Sequence, residues 1–177
     1  MTRFYAPEYL ADLEDSWTGR PGTPGELPWL PYPSEEFNAL MVWVRIHAQV
    51  NATYFELGAG IGTKVLMAQQ GGFRASGVEI CELYAAKARQ LGAAVQLGDV
   101  RSERTLEQVA LSDVVYMNHP LADRLEEFKL EQAVQARLRP GAILVTVRSA
   151  NPPHGSPWSV LCQLREGDLA VRKDSGR

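Results

Sequence analysis

Five short β-prone runs alternate with stretches of helical periodicity along most of this chain, and that alternation limits the fold more than any other feature. The runs are Thr53 to Leu57, Ala75 to Ile80, Ala94 to Leu97, Asp113 to Met117 and Ala142 to Val147. Between them the spacing predicts helices over Thr63 to Gln70, Cys81 to Leu91 and Glu103 to Ala110, with Gly71, Gly72 and Gly92 as stops. From Pro120, which is placed as a first helical residue, Leu121, Leu125 and Phe128 mark one helical face. Leu130, Val134 and Leu138 mark another, which predicts a break near Lys129. Strands that alternate with helices pair in parallel, because a parallel pair needs a crossover connection. The expected fold class is therefore α/β: a doubly wound, mostly parallel sheet with helices on both faces. Trp158 to Leu164 and Leu169 to Arg172, joined through Arg165-Glu166-Gly167-Asp168, predict a C-terminal antiparallel β-hairpin at one edge.

A length of 177 residues suits one domain, so a single unit and a single site are expected. Residues 1–33 read as an irregular Pro/Gly-rich N-terminal arm, 34–50 as a helix and 51–177 as the α/β core. Pro21, Pro24, Pro28, Pro31 and Pro33 with Gly19, Gly22 and Gly25 forbid helix there. Trp17, Trp29 and Tyr32 imply that the arm packs on the domain, either as a surface wrap or as a lid over a site. Ser34 is the predicted N-cap of the next helix, which carries Phe37, Leu40, Met41, Val44 and Ala48 at helical spacing.

Charge balance excludes little. There are 18 basic and 21 acidic residues, and the sequence pI of about 5.7 lacks the basic excess that phosphate binding favours, so nucleic acid is demoted as a partner. Cys81 and Cys162 are far apart and the three histidines are scattered, so neither a disulfide framework nor a zinc site is indicated. No signal peptide and no run of about 18 apolar residues is found, so no membrane association and a cytoplasmic location are expected.

Ligands of such sheets bind beyond the carboxyl ends of the strands, where the strand order reverses. The first strand runs into Glu56-Leu57-Gly58-Ala59-Gly60-Ile61-Gly62, whose glycines permit a sharp turn and close approach to a ligand. The spacing differs from the nicotinamide fingerprint, because the third glycine comes one place early and is followed by Thr63. The second strand ends at Glu79, a carboxylate able to accept from both hydroxyls of a ribose. After the third stand Gly98-Asp99-Val100, an acceptor for an exocyclic amine beside an apolar residue that can pack on a purine.

In these three segments the sequence resembles the class I, Rossmann-like S-adenosylmethionine-dependent methyltransferases, over roughly Thr53 to Val147. The resemblance takes in Asp113 to Asn118 and Leu138-Arg139-Pro140-Gly141. It implies a transferase that holds S-adenosyl-L-methionine with Glu56, Gly58, Gly60, Gly62, Glu79, Asp99 and Val100. Methyl transfer needs mainly a nucleophile held in line with an already electrophilic methyl group. The fourth strand end reads Asn118-His119-Pro120-Leu121. Asn118 is a candidate to accept a hydrogen bond from an attacking nitrogen, and His119 to take its proton. Both also suit helix capping before Pro120. The segment is similar to the Asn-Pro-Pro-Tyr motif of amino methyltransferases, with His119 for the first proline and Leu121 for the aromatic residue. The missing aromatic argues against an extruded base as acceptor. A protein side chain and a small molecule remain equal candidates. Asn151-Pro152-Pro153-His154 reads as a loop, with His154 a candidate for lining the pocket. Two other readings stand beside methyl transfer: a methyltransferase-like binding or assembly subunit without activity, and a nicotinamide-dependent oxidoreductase.

Overall fold

A computed structural model describes residues 5–19, 30–165 and 168–174. The elements in chain order are α1 (Pro7–Trp17), α2 (Ser34–His47), β1 (Thr53–Leu57), α3 (Thr63–Gln70), β2 (Arg74–Glu79), α4 (Glu82–Leu91) and β3 (Val95–Leu97). They continue with α5 (Glu103–Leu111), β4 (Val114–Asn118), α6 (Arg124–Arg137), β5 (Ile143–Val147), β6 (Trp158–Arg165) and β7 (Asp168–Lys173). All seven strands form one sheet in the order β3-β2-β1-β4-β5-β7-β6. The first five are parallel, and β7 runs antiparallel between β5 and β6. The doubly wound α/β fold and the terminal hairpin expected from the sequence are both present.

Alternation along the strands sends side chains to two separate cores. Tyr54, Val114, Tyr116 and Val145 face Phe37, Leu40 and Val44 of α2 and Val65 of α3. Phe55, Leu57, Val115, Met117 and Leu144 face Leu106 and Val109 of α5 and Leu130 and Val134 of α6. The Tyr116 ring meets Phe37 edge-on at 5.2 Å and stacks with Tyr54 at 6.2 Å, so an aromatic cluster ties α2 to the centre of the sheet.

Three expectations are corrected. Residues 7–17 are helical, with Pro7 in the first turn and Leu10 fully buried; the described part of the arm also includes Tyr32, which is buried, whereas 20–29 lie outside the described residues. Ser34 is the first residue of α2 and not its N-cap; its hydroxyl donates to Glu14 instead. No break occurs at Lys129, because Glu127, Leu130, Glu131 and Val134 form one continuous buried stripe of α6. Two carboxylates occupy positions that by charge alone would face solvent.

Gly62 shows what the third glycine of the turn does. Its φ is 78°, and a Cβ there would lie 2.6 Å from the Cβ of Ala93 and 3.0 Å from that of Ala88. It lets α3 start against α4 and β3. Gly62→Ala is expected to destabilise the fold by at least about 2 kcal/mol, from positive-φ strain and overpacking together. Urea unfolding checks this: the midpoint should fall at constant slope, and an unchanged midpoint would refute the packing role.

Candidate active site

The strand order reverses between β1 and β4, the switch point at which doubly wound sheets hold ligands. A cavity of about 250 Å³ opens there. Its walls come from Glu56, Gly58 and Ala59 at the end of β1, Glu79 to Cys81 after β2, Tyr116 and Asn118 to Ala122 along and after β4, Arg148 after β5, and Leu30 to Tyr32. The arm therefore borders the cavity with its last described residues, and Trp17 sits apart, edge-on to Tyr84 and beneath the Lys87 ammonium.

The glycine turn is fixed by hydrogen bonds to β2. Gly58 and Ala59 donate to the Val78 carbonyl at 3.0 and 2.9 Å. Gly60 donates to Glu79 Oε2 and Cys81 to Glu79 Oε1, both at 2.8 Å. The Glu79 carboxylate, 7% exposed, is thus oriented by two backbone amides at the cavity wall. Gly58 has φ 75°, and a Cβ there would sit 2.8 Å from that of Pro120. The turns after β1 and β4 touch because position 58 has no side chain.

Beneath the turn lies a buried charge cluster. Glu14 of α1 accepts from the Thr63 hydroxyl, from Lys64 Nζ at 2.7 and 3.0 Å, and from Ser34 Oγ at 3.0 Å. Lys64 is buried, and its pKa is lowered chiefly by that burial, with Glu14 and Glu56 pulling the other way. Glu56 is 4% exposed, and burial lifts its carboxyl well above the ordinary range despite the nearby Lys64 ammonium. Tyr116, also buried, has a hydroxyl with no hydrogen-bond partner among the described residues.

On the other side, Asn118 ends β4. Its Nδ2 donates to the Leu30 carbonyl at 3.3 Å, and its Oδ1 is buried without a partner among the described residues. His119 follows with φ 44°, an uncommon conformation for a side-chain-bearing residue. Its pKa is lowered, first by burial and then by the guanidinium groups of Arg124 and Arg148, with Glu131 opposing. Neither residue caps α6. That helix begins at Arg124, and Asp123 Oδ1 accepts from the amides of Leu125 and Glu126 at 2.8 and 3.0 Å.

Of the residues singled out in the sequence, Glu56, Gly58, Glu79, Asn118 and His119 meet at one cavity. Gly60 supports it through Glu79, and Gly62 packs elsewhere. Val100 points into the core beside Leu106 and Val78, while Asp99, at the edge of β3, is held by Arg101 through its backbone amide, Nε and Nη2. That contact keeps the Asp99 carboxyl below its ordinary pKa. His154 is exposed, its Nδ1 3.0 Å from the Pro152 carbonyl, and does not line the cavity. Sequence reasoning missed Glu14, Tyr116, Glu127 and Arg148. Only Glu14 left a readable signal, at helical spacing between Leu10 and Trp17.

No protein-family model matches the sequence, and a search of curated proteins matches none. Solved structures do resemble it. An RNA methyltransferase from Salinibacter ruber, in complex with S-adenosyl-L-homocysteine, superposes with a TM-score of 0.59 at 21% identity, over 81% of this chain and 92% of that one. A hypothetical protein from Thermus thermophilus gives 0.56 at 18% identity, over 90% and 92%. The precorrin-6y C5,15-methyltransferase of Geobacter metallireducens gives 0.50 at 20% identity, over 68% and 64%. With this strand order and these neighbours, the chain has the fold of the class I S-adenosylmethionine-dependent methyltransferases.

Proposed function

We propose that the protein is an S-adenosylmethionine-dependent methyltransferase acting on a nitrogen acceptor, carried by a protein side chain or a small molecule. The observation that carries this reading is the Asn118 amide. Leu30 accepts from Nδ2, which fixes the amide orientation and leaves Oδ1, a buried oxygen of a residue that lines the cavity, without a partner among the described residues. A buried acceptor without a donor costs about 1–3 kcal/mol, and an incoming N–H group relieves it.

The residues fit the cofactor. Glu79, held at the cavity wall by the Gly60 and Cys81 amides, accepts the ribose hydroxyls. Glu56, Gly58 and Tyr116, whose hydroxyl has no partner among the described residues, face the amino-acid end. Gly60 and Gly62 shape the turn that brings these groups together. Asp99 and Val100 are placed at the adenine by the resemblance alone, since neither lines the cavity: Val100 is buried in the core with Leu106 and Val78, and Asp99 is paired with Arg101. Their ion pair is solvent-exposed, and such pairs are worth only about 0–1 kcal/mol.

When bound, the cofactor supplies an electrophilic sulfonium methyl. Asn118 Oδ1 accepts from the acceptor N–H and aims the nitrogen lone pair. His119 takes the proton that nitrogen sheds. Leu30, Pro31 and Tyr32 screen the site from water, held by the Tyr32 hydroxyl donating to Asp168 at 3.0 Å.

Calorimetric titration with S-adenosylhomocysteine and NAD in parallel tests the cofactor. The former should bind, and Glu79→Ala should weaken it by about 1.5–3 kcal/mol, or roughly 10- to 150-fold. Equal affinity in the folded variant would remove Glu79 from the ribose.

Radiolabelled S-adenosylmethionine incubated with separated protein, nucleic-acid and small-molecule fractions of a cell extract tests the transfer. Label should enter the protein or small-molecule fraction, and Asn118→Ala should abolish most of it with cofactor affinity unchanged. Asp123→Ala is the control: as the true cap it should cost about 1 kcal/mol of stability and leave transfer per folded molecule intact. Cofactor binding with no label in any fraction would favour the assembly-subunit reading.

A further inference from the structure

Glu127 is fully buried on α6, directly beneath the turn that carries His119. Its Oε2 accepts from the Leu121 amide at 2.9 Å, while Oε1 has no partner among the described residues. His119 Nδ1 is in the same state, buried and unpartnered, and the two atoms lie 3.8 Å apart. Two orphaned polar atoms facing each other are costly as they stand, and a small rotation of either side chain closes them into a hydrogen bond. The rest of the imidazole lines the cavity, with the side chain 26% exposed.

We propose that Glu127 is the positioning residue of His119: its carboxylate accepts the Nδ1 proton and so presents the Nε2 lone pair to the acceptor nitrogen. The purpose of this pairing rests on the methyl-transfer reading, whereas the pairing itself does not. During transfer the acceptor nitrogen forms its bond to the methyl carbon, the carbon–sulfur bond breaks with its electrons left on sulfur, and the nitrogen's surplus proton passes to Nε2. The resulting imidazolium is then balanced by the Glu127 carboxylate. A protonated Glu127 would instead donate to Nδ1, put the remaining proton on Nε2 and disable the base.

The surroundings set where that choice is made. Around His119 stand Arg124 and Arg148, which disfavour imidazolium, and Glu131, which favours it. Around Glu127, burial pushes the carboxyl up to about 7, Glu131 adds to this, and the Leu121 amide and Arg124 oppose it. Glu131 is itself engaged by Ser149 Oγ and the Ala150 amide at 3.0 and 2.8 Å. Glu127 and His119 therefore titrate as a coupled pair, and the competent form is the one left after the last proton leaves.

Histidine-labelled full-length protein followed by NMR tests this without any acceptor. Exposed His47 and His154 serve as internal references, and His119→Gln assigns the third signal. Above its last titration step, wild-type His119 should show the Nδ1–H tautomer in its nitrogen shifts. In Glu127→Gln its midpoint should fall by about one pH unit, because the carboxylate that favours imidazolium is gone while Arg124 and Arg148 remain. An Nε2–H tautomer in the wild type overturns the proposal, and so does an unmoved midpoint in the folded variant. Should Glu127→Gln fail to fold, the wild-type tautomer alone decides. The expected tautomer and shift in a protein that transfers no label would uphold the pair while defeating the methyl-transfer reading.

Discussion

The contact between Gly58 and Pro120 is the constraint on which the site depends. A side chain at 58 would collide with Pro120, so the turns after β1 and β4 approach closely only because that position is bare. The approach brings Asn118 and His119, which belong to β4 and its loop, to the same cavity as Glu79, which belongs to β2. Backbone rules alone put these strand ends on one edge of the sheet. Contact between the turns converts a shared edge into a single site.

Glu14 gives the N-terminal helix a comparable role. One carboxylate gathers Thr63, Lys64 and Ser34, so α1, α2 and the start of α3 meet at one buried oxygen pair. Burying an ion pair is energetically close to neutral, since desolvation offsets the attraction, but removing one partner strands the other. The cluster is thus better explained as a device that fixes where α1 sits than as a source of net stability. The segment Leu30 to Tyr32, just before α2, in turn orients Asn118 through the Leu30 carbonyl.

What could be read from the sequence divides along the same line. The strands Thr53 to Leu57 and Trp158 to Leu164 and the helix Thr63 to Gln70 were legible to within a residue, because periodicity, glycine stops and turn residues are local signals. Glu56, Gly58, Glu79 and Asn118 were legible because each stands at a strand end. The two misread helices both bury carboxylates whose donors lie outside the helix. α1 was hidden because its buried face includes Glu14, whose partners lie at least 20 residues away. α6 looked broken because Glu127 and Glu131 fill its inner stripe, and their donors at Leu121, Ser149 and Ala150 come from loops on either side. A carboxylate in a sequence reads as solvated until its donors are known. The resemblance to methyltransferases placed the family motifs but was silent on these supports.

Charge also separates the cofactor readings in a way that glycine spacing only hints at. The cavity is walled by Glu56 and Glu79, with Glu14 just behind; of the two cationic side chains that also line it, Lys64 is committed to Glu14 and Arg148 stands after β5. A pyrophosphate placed here would bring two negative charges to carboxylates. One such contact at about 4 Å costs roughly 4 kcal/mol at an effective dielectric of about 20, and the neutral form of Glu56 lessens the penalty without making it favourable. A ligand with a sulfonium and an ammonium has the opposite sign. Its arrival draws the Glu56 carboxyl back toward ionisation, and the cost of removing the proton that burial holds there is set against the attraction gained. The carboxylates that disfavour a pyrophosphate therefore favour a cation, and one of them, Glu56, stands two residues before Gly58, where a side chain would meet Pro120.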